Sequence, residues 1–157
     1  MFKVFNLKTV LLLIFIILIG TWLTTRMFNP TNIAETASDH AEAVLQTRRY
    51  GIKGDLKQMR LVVKGIIPNI STRIWGGKWR LAAPQAGDST ENLEIVRAEI
   101  PVVFFTDDLL IELKEVGNEV LVNARSNSRT GKSDFGENRR HLLQLLAALD
   151  KEFQPTK

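Results

Sequence analysis

Cysteine is missing altogether from these 157 residues. That excludes a disulfide framework, a thiolate metal site, a cysteine nucleophile and a lipidated cysteine. It leaves the compartment open, because disulfide-free domains occur on both sides of a membrane. Histidine is scarce, with His40 and His141 the only two. A dominant charge is lacking as well: the formal net charge is +4, and two mainly acidic stretches, 88–99 and 107–119, each with a single base, are set among the basic residues. No long basic stripe with interleaved aromatics is present, so nucleic acid is not expected as a partner. Internal repeats and low-complexity stretches are absent too. No cofactor motif or metal-ligand spacing stands out.

The chain does hold one long hydrophobic run. Val10–Leu23 reads VLLLIFIILIGTWL, and no charge falls between Lys8 and Arg26. An uncharged stretch of about 17 residues is about 25 Å of helix, the short end of a membrane span. Lys8 and Arg26 can snorkel to the two interfaces, and Trp22 suits an interfacial belt. A cleaved signal peptide is the rival, but the segment ends TWLTTRMFNP, without the small residues a cleavage site needs. The expectation is therefore a transmembrane anchor over 1–26, a linker over 27–35 and one globular domain over 36–157. Lys3 and Lys8 precede the run and Arg26 alone follows it closely. The positive-inside rule then puts the N-terminus in the cytoplasm and the domain in the periplasm of a bacterial inner membrane. Asn29-Pro30 marks a turn in a linker short enough to keep the domain near the bilayer.

Past the linker, 36–49 is alanine-rich, with Ala37, Ala41, Val44 and Leu45 at helical spacing, and predicts a helix. A second helix is predicted over 55–67, with Asp55 as N-cap, Leu56, Met59, Val63 and Ile66 on one face and Pro68 just beyond. Four strands follow, over 78–83, 93–100, 108–116 and 119–126. Gly117-Asn118 between the last two predicts a two-residue type II′ hairpin. The last helix carries Leu142, Leu145, Leu146, Leu149 and Phe153 on one face, with Asp134 as N-cap and Glu137 completing a capping box. Together these predict an α+β domain whose antiparallel sheet of about four strands is covered by helices.

The hairpin fixes a register in which partner numbers sum to 235. Ile111 then faces Ala124, Leu113 faces Val122, Asp107 faces Ser128 and Asp108 faces Asn127. One end of the sheet thus gathers Asp107, Asp108, Arg125, Ser126, Ser128 and Arg129. The following loop and helix start add Gly131, Lys132, Ser133, Asp134, Gly136, Asn138, Arg139 and Arg140. The stretch from Arg125 to Arg140 holds five bases against two acids.

The pattern FFTDDLLIEL followed by VNARSNSRTGKSDFGENRR resembles the bacterial and plant domain-of-unknown-function family 1499. The matching positions are Phe104 or Phe105, Asp107, Asp108, Arg125, Ser126, Ser128, Arg129, Gly131, Asp134, Gly136, Asn138 and Arg140. Trp79 and the 93–100 strand resemble family positions more loosely. His141 departs from the family pattern, which usually has isoleucine after the arginine. The resemblance implies an envelope or membrane location and supports the domain boundary. It implies no particular activity.

Two uses of the cluster follow from its chemistry. In the first it fastens the fold: Asp107 or Asp108 accepts from Arg125 or Arg129, the glycines allow tight turns, and Asn138 and Asp134 satisfy loose backbone groups. The chain is then a membrane-anchored interaction or scaffold domain rather than an enzyme. In the second, Arg129, Lys132, Arg139 and Arg140 beside a helix N-terminus bind an anion such as phosphate, a lipid head group or an envelope polymer, or the cluster serves an enzymatic site. Asp134 occupies the spot such an anion would need. Thr130-Gly131-Lys132-Ser133 imitates the end of a P-loop, but Ser126 stands where the motif needs glycine. Asp107 and Asp108 are strand neighbours, so they point to opposite faces and do not chelate a metal together. A triad of Ser133, His141 and an aspartate lacks the sharp strand-to-helix turn that exposes such a nucleophile. Trp75 and Trp79 with Gly76-Gly77 read as a turn with packed aromatics.

Overall fold

The computed structural model describes residues 6–28, 31–51, 55–72, 76–103, 105–131, 134 and 136–156, and of 24–28 only the backbone. Asn29, Pro30, Trp75, Phe104, Lys132 and Ser133, all singled out above, lie outside the described residues.

Three helices and six strands are described: α1 (Leu7–Phe28), β1 (Ile33–Glu35), β2 (Arg48–Gly51), α2 (Leu56–Ile66), β3 (Arg80–Leu81), β4 (Leu93–Val102), β5 (Phe105–Val116), β6 (Glu119–Ser128) and α3 (Glu137–Glu152). The sheet is antiparallel with order β1-β6-β5-β4-β3, and β2 lies along the same edge of β6 as β1. The three long strands alternate strictly between buried and outward residues. That alternation puts Val96, Ala98, Ile100, Leu109, Ile111, Leu113, Val120, Val122 and Ala124 on one buried face. Against it α2 lays Leu56, Met59 and Val63, and α3 lays Leu142, Leu145, Leu146 and Leu149. An α+β domain with helices on one sheet face is thus present, with six strands in place of about four.

The predicted register holds. Ile111 pairs with Ala124, Leu113 with Val122, Asp107 with Ser128 and Asp108 with Asn127. Gly117 takes φ 62° while Asn118 stays out of the left-handed region, as a II′ turn requires. Asp55 caps α2, accepting from the Gln58 N–H at 2.6 Å.

Three expectations are corrected. The helix over 36–49 does not form: a short 3-10 turn at Ala43–Leu45 and the start of β2 at Arg48 occupy this part of the chain, just after β1. Half of its stripe is alanine, and of that stripe only Leu45 is buried. Little apolar area rewarded a helix, while the open edge of β6 offered backbone partners. Thr36 and Thr47 secure the alternative. The Thr36 N–H donates to the Ala124 carbonyl at 2.8 Å, its hydroxyl accepts from the Ala124 N–H at 2.8 Å, and the Thr47 hydroxyl donates to Asn123 Oδ1 at 2.6 Å. Tyr50, fully buried, donates its hydroxyl to Asp150 on α3 at 2.7 Å. Residues 33–35 stand in the expected linker yet belong to the sheet as β1.

The second correction concerns the start of α3. The helix begins at Glu137, and Gly136, with φ 82°, holds the cap position that Asp134 was expected to fill. Asp134 still serves the helix start from two residues further out. Its carboxylate accepts from the Gly136 N–H at 2.9 Å and the Asn138 N–H at 2.7 Å.

The third concerns the expected transmembrane helix. A helix forms there, α1, 22 residues long. Among the described residues, however, no helix is long and apolar enough to cross a membrane. The uncharged run between Lys8 and Arg26 is about 25 Å of helix against a hydrocarbon core of about 30 Å. What is present is an apolar helix with its large side chains outward: Leu11, Phe15, Ile17 and Leu18 are 56%, 59%, 63% and 61% exposed.

Candidate functional site

The predicted cluster is split by the sheet. Successive strand residues point to opposite faces, so Asp107 goes inward beneath the start of α3 and Asp108 outward.

The inward half is a buried polar plug. Ser126, Asn138 and His141 have no exposed surface, and Asp107 has 2%. Asn138 organises it. Its Oδ1 accepts from Ser126 Oγ at 2.6 Å, and its Nδ2 donates to the Asn32 carbonyl at 2.8 Å and to Ser128 Oγ at 3.0 Å. Asn32 closes the loop, since its amide donates to the carbonyls of Ser128 at 3.2 Å and Gly131 at 3.0 Å. Gly131, at φ 92°, lets the chain turn back at this point. β1, β6 and α3 are thereby joined through one side chain.

His141 lies one turn along α3 from Asn138. Its Nδ1 is 3.5 Å from Ser126 Oγ and 3.6 Å from Asp107 Oδ2, and its Nε2 lies 3.8 Å from Glu137 Oε2. Nε2 is buried without a hydrogen-bond partner. The ring meets Trp79 edge-on, with centroids 5.7 Å apart, and the Trp79 indole donates to Thr72 Oγ1 at 3.3 Å. Burial pushes His141 down to about 4, although the carboxylates of Glu137 and Asp134 favour its charged form. The ring is therefore neutral near pH 7. Burial pushes Asp107 up; a hydrogen bond from Ser128 works against this, and the nearby charges of Asp134, Glu137 and Asp108 add to the rise.

Ser126, His141 and Asp107 are the residue types of a hydrolytic triad, but their geometry does not make one. A working base offers one ring nitrogen to the nucleophile and the other to the acid. Here serine and aspartate both approach Nδ1, Ser126 donates its proton to Asn138, and the serine is sealed from solvent. Among the described residues, no group of three or more His, Asp or Glu side chains is placed to hold a metal.

The plug borders a cleft of about 460 Å³ at the end of the sheet. Val102, Val103 and Phe105 line one side, and Asp107, Asp134 and Glu137 the other. The expected anion site at the helix start is thus faced by carboxylates, and its arginines are engaged. Arg139 pairs with Glu42 and Arg140 with Glu137.

The outward half is an ion-pair cluster. Arg129 holds Asp108 in a two-pronged contact, with Nε at 3.0 Å and Nη2 at 2.6 Å from Oδ1, and Nη2 also reaches Glu99 at 2.7 Å. Arg97 holds Asp88 in the same way at 2.8–3.1 Å. Arg125 is exposed, and no ion pair to it is among those described. Together with Arg97 and Arg129 it borders a second cleft of about 400 Å³ on the open sheet face.

A six-stranded antiparallel sheet with two helices on one face, fastened to the last of them by a buried asparagine, defines a small α+β domain. The chain belongs to the family of proteins of unknown function designated DUF1499, whose model matches residues 23–149. No curated protein and no solved structure matches it.

Sequence reasoning placed Asp107, Ser126, Ser128, Asp134 and Asn138 at one site. It missed His141, Trp79 and Asn32. His141 departs from the family pattern, yet its spacing of three from Asn138 on a helix is a usable signal. Asn32 contributes mainly through backbone atoms and its amide, which no residue pattern shows.

Two predictions follow from the split. Asn138→Ala removes the buried hydrogen bonds to Ser126, Ser128 and Asn32 and should lower unfolding free energy by about 2–4 kcal/mol. Arg129→Ala removes an ion pair that is nearly half exposed and should cost under about 1 kcal/mol. Urea titration of both variants checks the contrast. The second concerns pH. An unfolded histidine takes its proton near pH 6.5 and the folded His141 only near 4, so stability present above the higher value is lost as pH falls to the lower. That loss is about 3 kcal/mol, offset in part by Asp107, whose raised value lets the folded form take up a proton first. His141→Gln should flatten the fall between about pH 6.5 and 4 in a denaturation series.

Proposed function

We propose that this chain is a membrane-attached, non-enzymatic interaction domain. The observation that carries this is α1. The large apolar side chains described on it are 39–73% exposed, and none belongs to the core of the domain. It is apolar on all sides, with no polar face to turn to water, and a helix of that kind needs lipid or another apolar surface. The globular part meanwhile has its own complete core and needs nothing from α1. The non-enzymatic half of the proposal is supported by the sealed Ser126 and by the shared nitrogen of His141.

The test compares the full chain with one starting at Thr31. In vesicle flotation, the full chain should float with the lipid. The shortened chain should stay folded by circular dichroism and remain in the soluble fraction. A full chain that stays soluble overturns membrane attachment.

One observation favours a second reading, in which the domain takes an anion. The place for it is the open sheet face rather than the helix start, because Arg125 borders the second cleft without a described ion pair. Inorganic phosphate or an anionic head group would then raise the melting temperature of the domain, and Arg125→Gln would abolish the rise. An unchanged response in that variant excludes the site.

A further inference from the structure

The turn between β4 and β5 is built against the usual rules. Val103 sits at φ 47°, in the left-handed region, and it is the only described non-glycine residue there. A β-branched residue in that region is a steric outlier. Val103 is also 53% exposed and Phe105 57% exposed. Glycine or asparagine would suit both the backbone and the solvent better.

The base of the hairpin is held firmly. Thr72 Oγ1 donates to the Pro101 carbonyl at 3.3 Å. Gly76 approaches so closely that a Cβ there would lie 2.7 Å from the Pro101 oxygen and 2.3 Å from the Thr72 Cβ. A buttressed stem thus presents a strained apolar tip.

The tip shares its end of the sheet with the entry of the chain from α1. Asp107 pairs with Ser128, and the Ser128 N–H donates to the Asn32 carbonyl at 3.0 Å. Phe105 lies two residues before Asp107 on β5, about 7 Å further along the strand, and Val103 sits in the turn just beyond it. Phe28, the last residue of α1, is four residues before Asn32, a reach of at most about 14 Å. The end of α1 is therefore tethered within about 14 Å of Asn32, at the end of the sheet that carries the hairpin tip.

We propose that the β4–β5 tip, Val103 and Phe105, is a second lipid contact that enters the bilayer interface beside α1. The proposal rests on the membrane attachment above. Lipid is favoured over a protein groove because an inserted α1 already brings this end of the domain to the head groups. Two contacts rather than one would fix the orientation of the domain and turn the cleft bordered by Asp107, Asp134 and Glu137 toward the lipid surface.

The absence of cysteine makes the test direct. Single substitutions Val103→Cys, Asn118→Cys and Ile17→Cys in the full chain each take a polarity-sensitive fluorophore. Labelled protein is reconstituted in phosphatidylethanolamine–phosphatidylglycerol vesicles carrying nitroxide lipids. The label at position 17 should be quenched, which reports attachment through α1. The label at 103 should be quenched by shallow nitroxides and shift to the blue. The label at 118, on the turn at the far end of the sheet, should remain unquenched. Quenching at 17 without quenching at 103 overturns the second contact and leaves attachment standing. No quenching at 17 overturns attachment itself. A label at 103 that shifts to the blue with protein concentration but ignores nitroxide lipid assigns the tip to a second copy of the chain, and also overturns the proposal.

Discussion

Asn138 is the side chain on which the arrangement of this domain turns. A buried amide is costly unless every donor and acceptor is met, and here each end is met. Oδ1 takes Ser126, and Nδ2 is divided between Asn32 and Ser128. The Asn138 backbone N–H is taken by Asp134. One residue thus joins the first strand, the sixth strand, the loop after it and the last helix. The apolar face of α3 could dock on the sheet in several neighbouring registers, since leucine on leucine is forgiving. The amide is not forgiving, and it selects one. That choice places His141 beside Ser126 and Asp107, and it sets the acidic border of the cleft.

Much of the fold was legible where the sequence period was strong. The β5–β6 register followed from a two-residue turn and a clean alternation, and every predicted pair is found. α2 was legible from Asp55 and three large apolar residues at helical spacing. The stretch after Glu35 was not. Its spacing imitates a helix, but alanine contributes little on burial, and the decisive partners, Ala124 and Asn123, lie almost ninety residues away. Local pattern carries no information about an unfilled strand edge. The start of α3 shows a milder case: Asp134 does bond the helix start, but from outside it, because Gly136 takes a backbone position that only glycine adopts freely.

The site was legible in membership and illegible in its grouping. Spacing brought Asp107 and Asp108 to one end of the sheet, and the pleat then divided them between a buried plug and an exposed ion-pair cluster. Bases that looked free in a list of residues proved to be neutralised. Glu42, Glu99 and Asp108 come from outside the stretch and take up Arg139 and Arg129, while Glu137, one of its own two acids, takes up Arg140. An excess of five bases over two acids in one stretch therefore says little about the field that a ligand would meet.

The sheet edges carry a consequence of another kind. On one side β6 is covered by two separate pieces, β1 and β2, of three and four residues. On the other, β3 covers only Ala98 and Glu99 of β4, and the loop before β4 takes single bonds from it, such as Ala82 to Arg97 and Ile95 to Asp88. Neither flank presents a long, flat ladder of unpaired amides to a neighbour. Among the described residues, strand addition between copies of the chain therefore has only short, interrupted edges to extend.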